Sequence, residues 1–253
     1  MSLAQARVGR RTPRLHLHDD ADALAGALAE AFVAAARPVV GHRPFFVVLP
    51  GGTSPVPLLR RLVTRHAEAL DWERVRFAWS DERWVPVEDP ASNYGLVHEH
   101  LFEPLGLDPE RVACAVSTEL PTTTIAAAEY EGRLRAWLVE ADGRFDWGLL
   151  GMGSDGHTAS LFPGRSAPED PWVIPVDGSP KPPATRVTMT WTVLRRARAL
   201  HVVATGAGKA TAVRQGLDAP TDVSRYPLHG SRAAEGTVDW WLDRAAAGEV
   251  ARG

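Results

Sequence analysis

Lysine is almost missing from this chain of 253 residues: 26 of its 28 basic residues are arginine, which leaves only Lys181 and Lys209. There is one cysteine, Cys114, so no disulfide can form within the chain. It lies in the apolar run 112–116 and reads as a small buried hydrophobe, not a reactive thiol. Unbroken apolar runs are short. The run 45–49 is representative and falls far below the roughly 20 residues of a membrane-spanning helix. The opening stretch, MSLAQARVGRRTPR, has arginines but no apolar segment of a secretory signal, and residues 1–13 read as a frayed tail on a cytoplasmic protein. Excess positive charge is absent as well. With a formal net charge of −3 and a pI of about 6.3, neither nucleic acid nor a membrane is an expected partner. HExxH, CxxC and GxSxG are all missing, which argues against a zincin, a cysteine-ligated metal and a serine hydrolase.

What is present is an ordinary globular composition, 45% hydrophobic and 23% charged, in a length that suits one domain spanning 1–253. Short apolar runs at 14–18, 45–49, 75–79, 111–116, 145–150, 186–189, 200–204 and 237–242 read as strands. Helical spacing fills the intervals at 22–36, 55–70, 93–102, 123–139 and 208–215, with a short helix after the last strand. This alternation predicts an α/β fold, a mainly parallel twisted sheet with helices on both faces. Ligands of such sheets bind at the carboxyl ends of the strands.

Four polar clusters fall at strand ends. The first is Gly51-Gly52-Thr53-Ser54 before a helix, where backbone N–H groups and two hydroxyls can meet an anion such as phosphate. The second, Ser80-Asp81-Glu82-Arg83-Trp84, reads equally as a solvated loop or as part of a site, and is followed by Ser92-Asn93-Tyr94. The third runs Gly151-Met152-Gly153-Ser154-Asp155-Gly156-His157. It presents a carboxylate and an imidazole together, and an imidazole titrating near 6.5 suits general-base work. The fourth joins the segment of Arg186 to Thr205-Gly206-Ala207-Gly208-Lys209, whose ammonium at a helix start suits a phosphate. Lys181, in a proline-rich loop, reads as solvated. Asp81, Glu82, Asp155 and His157 are metal-ligand types, but no metal site is expected from them. His16 and His18 share a strand face without a third partner nearby in sequence.

Taken together, GGTSP at 51–55, SDERWVP at 80–86, SNYG at 92–95, GMGSDGHTASLFPG at 151–164, PPATRVT at 182–188 and GAGK at 206–209 resemble the 6-phosphogluconolactonases. VDWWLDRAA at 238–246 extends the match. That family belongs to a modified Rossmann-like fold group shared with glucosamine-6-phosphate deaminases and ribose-5-phosphate isomerases. The Thr53-Ser54 order is reversed from the family pattern, and residues 229–236 are atypical of it and carry no assigned role. The resemblance implies hydrolysis of 6-phospho-D-glucono-1,5-lactone, a small sugar-phosphate lactone, without metal or cofactor, by a monomer or weak homodimer. It also implies roles. His157 activates water, Asp155 orients the imidazole or holds a sugar hydroxyl, and Arg83 is expected to stabilise the oxyanion. Gly51, Gly52, Thr53, Ser54, Asp81, Asn93, Gly153, Arg186 and Lys209 would hold substrate and phosphate. An isomerase or deaminase on the same fold and a non-catalytic sugar-phosphate sensor are the competing readings; a sensor of gene expression would need a DNA-binding segment, and no basic helix-turn-helix precedes residue 45.

Overall fold

The computed structural model describes residues 12–165 and 167–248, so nearly all of the expected N-terminal tail lies outside the described residues. The described residues form ten strands: β1 (Arg14–His18), β2 (Phe45–Leu49), β3 (Val75–Trp79), β4 (Asp81–Arg83), β5 (Ala113–Cys114), β6 (Trp147–Gly151), β7 (Val173–Val176), β8 (Arg186–Met189), β9 (Ala199–Ala204) and β10 (Thr237–Asp243). Seven form a parallel sheet in the order β1-β10-β9-β6-β2-β3-β5. The central strand β2 is buried along its whole length because both faces of the sheet are covered.

On one face lie the helices Ala21–Val40 and Val56–His66. Asp20 caps the first, its carboxylate accepting from the Ala23 N–H at 2.8 Å. That helix runs four residues past the expected end because Val40 still lies on the stripe that faces the sheet. It is long and apolar enough to span a bilayer by length and composition. Its apolar side nevertheless packs within the protein, with Phe32 edge-on to Phe45 and to Trp147. The second helix stops at His66 instead of continuing to residue 70, and the Trp72 indole N–H caps the following Ala67 carbonyl at 2.8 Å.

The other face carries the helix Thr123–Trp137 and, beside it, a second sheet that the sequence pattern did not separate from the first. Here β8 pairs antiparallel with both β4 and β7, so 186–189 is not a strand of the main sheet. Residues 81–83, which read equally as a solvated loop or as part of a site, are a strand whose hydrogen-bond partners lie a hundred residues on. The strand expected at 111–116 shrinks to β5. Asp108 accepts from the Glu110 N–H and Pro109 occupies the first turn, so residues up to Val112 become a helix. Cys114 in β5 is buried, and burial pushes its thiol up to about 12, which keeps it unreactive.

Chain order and sheet order together locate the site. From β2 the chain builds outward through β3 to β5, then returns to the opposite side of β2 with β6 and continues to β9 and β10. The direction reverses between β2 and β6, and the crevice beyond their carboxyl ends is where such sheets bind ligands.

Candidate active site

At that reversal the loops after β2, β3, β6 and β9 surround a cavity of about 250 Å³. Its wall includes Gly51, Gly52, Ser54, Asp81, Arg83, Gly153, His157, Arg186 and Lys209, which stand far apart in sequence. Asp155 stands behind the imidazole. Thr53 instead faces an adjacent, larger cleft of about 620 Å³ between the two helices of the first face, which shares Ser54, Met152 and Lys209 with the cavity.

The His157 turn is built on glycine. The Gly153 N–H donates to the His157 carbonyl at 2.8 Å, and the Gly156 N–H donates to Gly153 at 3.0 Å. A Cβ at Gly153 would lie 2.0 Å from His157 Nδ1 and 2.3 Å from an Asp155 oxygen, so the pair packs directly over bare backbone. His157 Nδ1 and Asp155 Oδ1 are 2.5 Å apart. With the proton on Nδ1 donated to the carboxylate, Nε2 carries the free lone pair. Burial lowers the imidazole's pKa, Asp155 and Asp81 oppose that, and Lys181 adds to it. Asp155 is itself held below the usual carboxylate range by its hydrogen bond and charge contact with His157, against desolvation. Beneath the imidazole lies Phe162, buried, with ring centroids 4.9 Å apart.

Gly156 takes φ +83°, and a Cβ there would strike the Tyr226 ring at 2.5 Å. Tyr226 lies just ahead of the unassigned segment 229–236. The helical turn Pro227–Ala233 follows it, and the Leu228 N–H donates to the Gly156 carbonyl at 3.1 Å. His229 is buried there, Nδ1 accepting from the Asp222 N–H at 3.0 Å and Nε2 reaching the Gln215 carbonyl at 3.1 Å. The segment buttresses the imidazole turn from behind.

On the opposite wall a buried polar network replaces the expected choice between site and solvated loop. Asp81 accepts from Ser160 Oγ at 2.7 Å and lies 3.6 Å from the Arg186 guanidinium. Arg186 also donates to the carbonyls of Lys181 at 2.8 Å and Pro183 at 3.0 Å. Much of the guanidinium that was expected to grip phosphate therefore holds a loop in place. Glu82 is buried and accepts from the N–H groups of Arg83, Asn93 and Tyr94. Burial pushes its carboxyl up to about 7, while those three donors favour the carboxylate. Trp84, conspicuous among charges in the sequence, is partly buried and packs against the core beside this network.

Asn93 corrects the expectation of a substrate ligand. Its amide is committed within the protein, donating to the Asp81 carbonyl at 2.7 Å and accepting from the Gly52 N–H at 3.1 Å. It is a positioning residue, and the Gly52 N–H is correspondingly engaged. A Cβ on Gly51 would collide with that amide at 2.2 Å. Arg83 donates to the Ala91 carbonyl at 2.7 Å and extends across the glycine turn, its terminal nitrogen 3.7 Å from where a Gly52 Cβ would stand. It thus belongs to the glycine-turn end of the cavity, and the groups whose charge acts on His157 are Asp155, Lys181 and Asp81. The Arg83 Nε is buried without a hydrogen-bond partner. Lys209 donates to the Met152 carbonyl at 2.6 Å, and burial with the nearby Lys181 charge lowers its pKa.

Lys181 and Ala159 are among the wall residues that sequence reasoning did not assign to the site. Lys181, read as solvated, lines the cavity, and its rarity was the available signal. Ala159 also lines it, in the left-handed region at φ 50°, which nothing in its side-chain type announces. Among the described residues, no three His, Cys, Asp or Glu side chains are grouped to hold a metal ion.

Comparison with known proteins matches residues 19–240 to the family model described as glucosamine-6-phosphate isomerases/6-phosphogluconolactonase. A 6-phosphogluconolactonase of Streptomyces coelicolor is 35% identical, the match covering 95% of this chain and 96% of that one. The crystal structure of 6-phosphogluconolactonase from Leishmania guyanensis superposes with a TM-score of 0.81 at 27% identity, over 95% of this chain and 99% of that one. A monomeric glucosamine-6-phosphate deaminase has a TM-score of 0.79 at 20% identity, over 92% and 98% of the two chains, and shares the fold. The chain belongs to the glucosamine-6-phosphate isomerase/6-phosphogluconolactonase family.

Proposed function

We propose that the protein hydrolyses 6-phospho-D-glucono-1,5-lactone to 6-phospho-D-gluconate, the second step of the oxidative pentose phosphate pathway, with His157 activating water and without a metal. The observation that carries this reading is the His157–Asp155 pair at the wall of a small cavity crowded with cations. Water adds to the lactone carbonyl carbon as its proton passes to His157 Nε2, leaving a tetrahedral oxyanion. Collapse of that intermediate re-forms the carbonyl, breaks the bond to the ring oxygen, and returns the proton from His157 to that oxygen. The acid product ionises, so each turnover releases one proton to solution. The phosphate lies at the other end, on the Gly51–Ser54 turn at the start of the helix Val56–His66, with Arg83 and Lys209. This assignment moves Arg83 from the oxyanion to the phosphate.

The test is proton release on adding freshly made 6-phosphogluconolactone, followed with and without chelator. The reading expects a rate above spontaneous hydrolysis that chelation leaves unchanged. Loss of that rate with chelator would refute the metal-free mechanism, and a rate no faster than the spontaneous one would refute the lactonase.

A further inference from the structure

We propose that Lys181 is a catalytic residue that holds the negative charge on the oxygen of the reacting carbonyl; the proposal rests on the lactonase reading. The hydrolysis creates an oxyanion beside His157, and the site needs a preorganised positive group there. Four cations line the cavity: Arg83, Lys181, Arg186 and Lys209. Each of the three besides Lys181 already bonds to the protein, and Arg83 and Lys209 are assigned to the phosphate end. Arg83 spans the glycine turn and binds the Ala91 carbonyl, Arg186 is tied to Ser160, Asp81 and two loop carbonyls, and Lys209 is bonded to the Met152 carbonyl. The Lys181 ammonium has no hydrogen-bond or ion-pair partner among the described residues, although its side chain reaches the cavity that His157 lines.

Its backbone, by contrast, is fastened at several points. The Lys181 carbonyl accepts from Ser179 Oγ at 2.9 Å and from Arg186 at 2.8 Å, and its N–H donates to Ser179 Oγ at 3.2 Å. The Ser179 N–H closes the loop on the Ala184 carbonyl at 2.8 Å. An anchored stem with an unengaged charge is the arrangement of a group reserved for a ligand. The surroundings supply a reason for a cation there. Asp155 and Asp81 both act on the imidazole, and Arg186 answers only Asp81, at 3.6 Å. The charge of Lys181 acts on both members of the His157–Asp155 pair.

The test compares wild type with Lys181→Met and Lys181→Arg by proton release from 6-phosphogluconolactone across pH. For Lys181→Met the expected result is a fall in kcat of about 10²-fold, at the low end for one lost oxyanion donor, with KM changed less than about threefold. Lys181→Arg, which keeps the charge, is expected to retain more of kcat. The acid limb of kcat/KM in Lys181→Met should also move to higher pH, because a charge that opposes the imidazolium has gone. A Lys181→Met enzyme with wild-type kcat, or with kcat kept and KM raised, would overturn the proposal and leave Lys181 as a phosphate contact or a bystander. Wild-type protein that releases no protons above the spontaneous rate would instead refute the lactonase reading itself.

Discussion

As the proposed base His157 has to be neutral, and its surroundings favour that form. Burial against Phe162 lowers its pKa, Asp155 raises it, and burial prevails. The acid limb of kcat/KM should therefore fall below pH 6.5, the unperturbed value for histidine. His157→Ala is expected to lower kcat by roughly 10²- to 10⁴-fold while sparing affinity for 6-phosphogluconate. Near wild-type turnover in that variant would remove His157 from the role of base. Asp155→Asn should lower kcat too, yet shift the acid limb to still lower pH, since a neighbour that favours the imidazolium is lost. An acid limb that moved upward would contradict this account of the pair. Phe162 separates the lactonase from a deaminase. Glucosamine-6-phosphate deaminases, as the sequence resemblance implies, carry a glutamate five residues after the histidine, to relay protons during ring opening. Here that position holds a buried phenyl ring beside the imidazole, and it can neither take nor give a proton. No ammonia should be released from glucosamine-6-phosphate, and release at a rate comparable with lactone hydrolysis would sink the inference.

At the scale of elements, two glycine turns bring the site together, and each depends on what packs over it. Gly153→Ala would drive a methyl group into His157 Nδ1 and the Asp155 carboxylate. We expect kcat to fall because the pair is pushed off the position the turn gives it, and thermal stability to fall with it, since Gly153 is buried and the imidazole that must give way is largely buried too. Asn93→Ala acts at the other turn. It deprives the Gly52 N–H and the Asp81 carbonyl of their partner and should both raise KM and lower stability, by about 1–3 kcal/mol for buried groups left unpaired. Unchanged KM in a correctly folded Asn93→Ala variant would show that the turn needs no such strut. These turns also show how far the sequence could be read. The glycines, Asp155 and His157 were legible because a strand, a turn and a ligand-facing imidazole are all local features. Strands β2 and β3 were legible to the residue for the same reason. The Asp81–Arg83 strand was not, since it exists only by pairing with β8. Asn93 is the right residue type for a ligand, and only the positions of Gly52 and Asp81 reveal that its amide is already used. Lys181 was misread because its loop is aimed by Arg186, a contact that no local pattern encodes.

The whole molecule carries a pH dependence far from the site, where β1, β10, β9 and β6 meet beneath the helix Ala21–Val40. His16 and His18 do find distant partners there: His16 bonds to Asp239 at 2.7 Å, and both histidines stack on Trp241. Deeper still, His201 lies against Trp147 with ring centroids 3.5 Å apart and accepts at Nδ1 from the Trp241 indole N–H at 3.1 Å. Burial lowers its pKa to about 3, although Asp239 opposes the shift. In the unfolded chain the same imidazole takes up a proton near 6.5. Between those values the unfolded state binds more protons than the folded one, so stability is complete above 6.5 and declines as pH falls toward 3. One such group contributes at most about 1.4 kcal/mol per pH unit across that window. His18, His157 and His229, whose pKa values burial also lowers, add to the slope in the same direction. His201→Phe keeps a ring against Trp147 but removes both the titrating group and the Trp241 acceptor. It should therefore be less stable than wild type at pH 7 and lose less stability per pH unit between 6 and 4. Urea unfolding at stepped pH measures both quantities. A variant whose pH slope matches the wild type would mean that proton uptake at His201 does not drive acid unfolding.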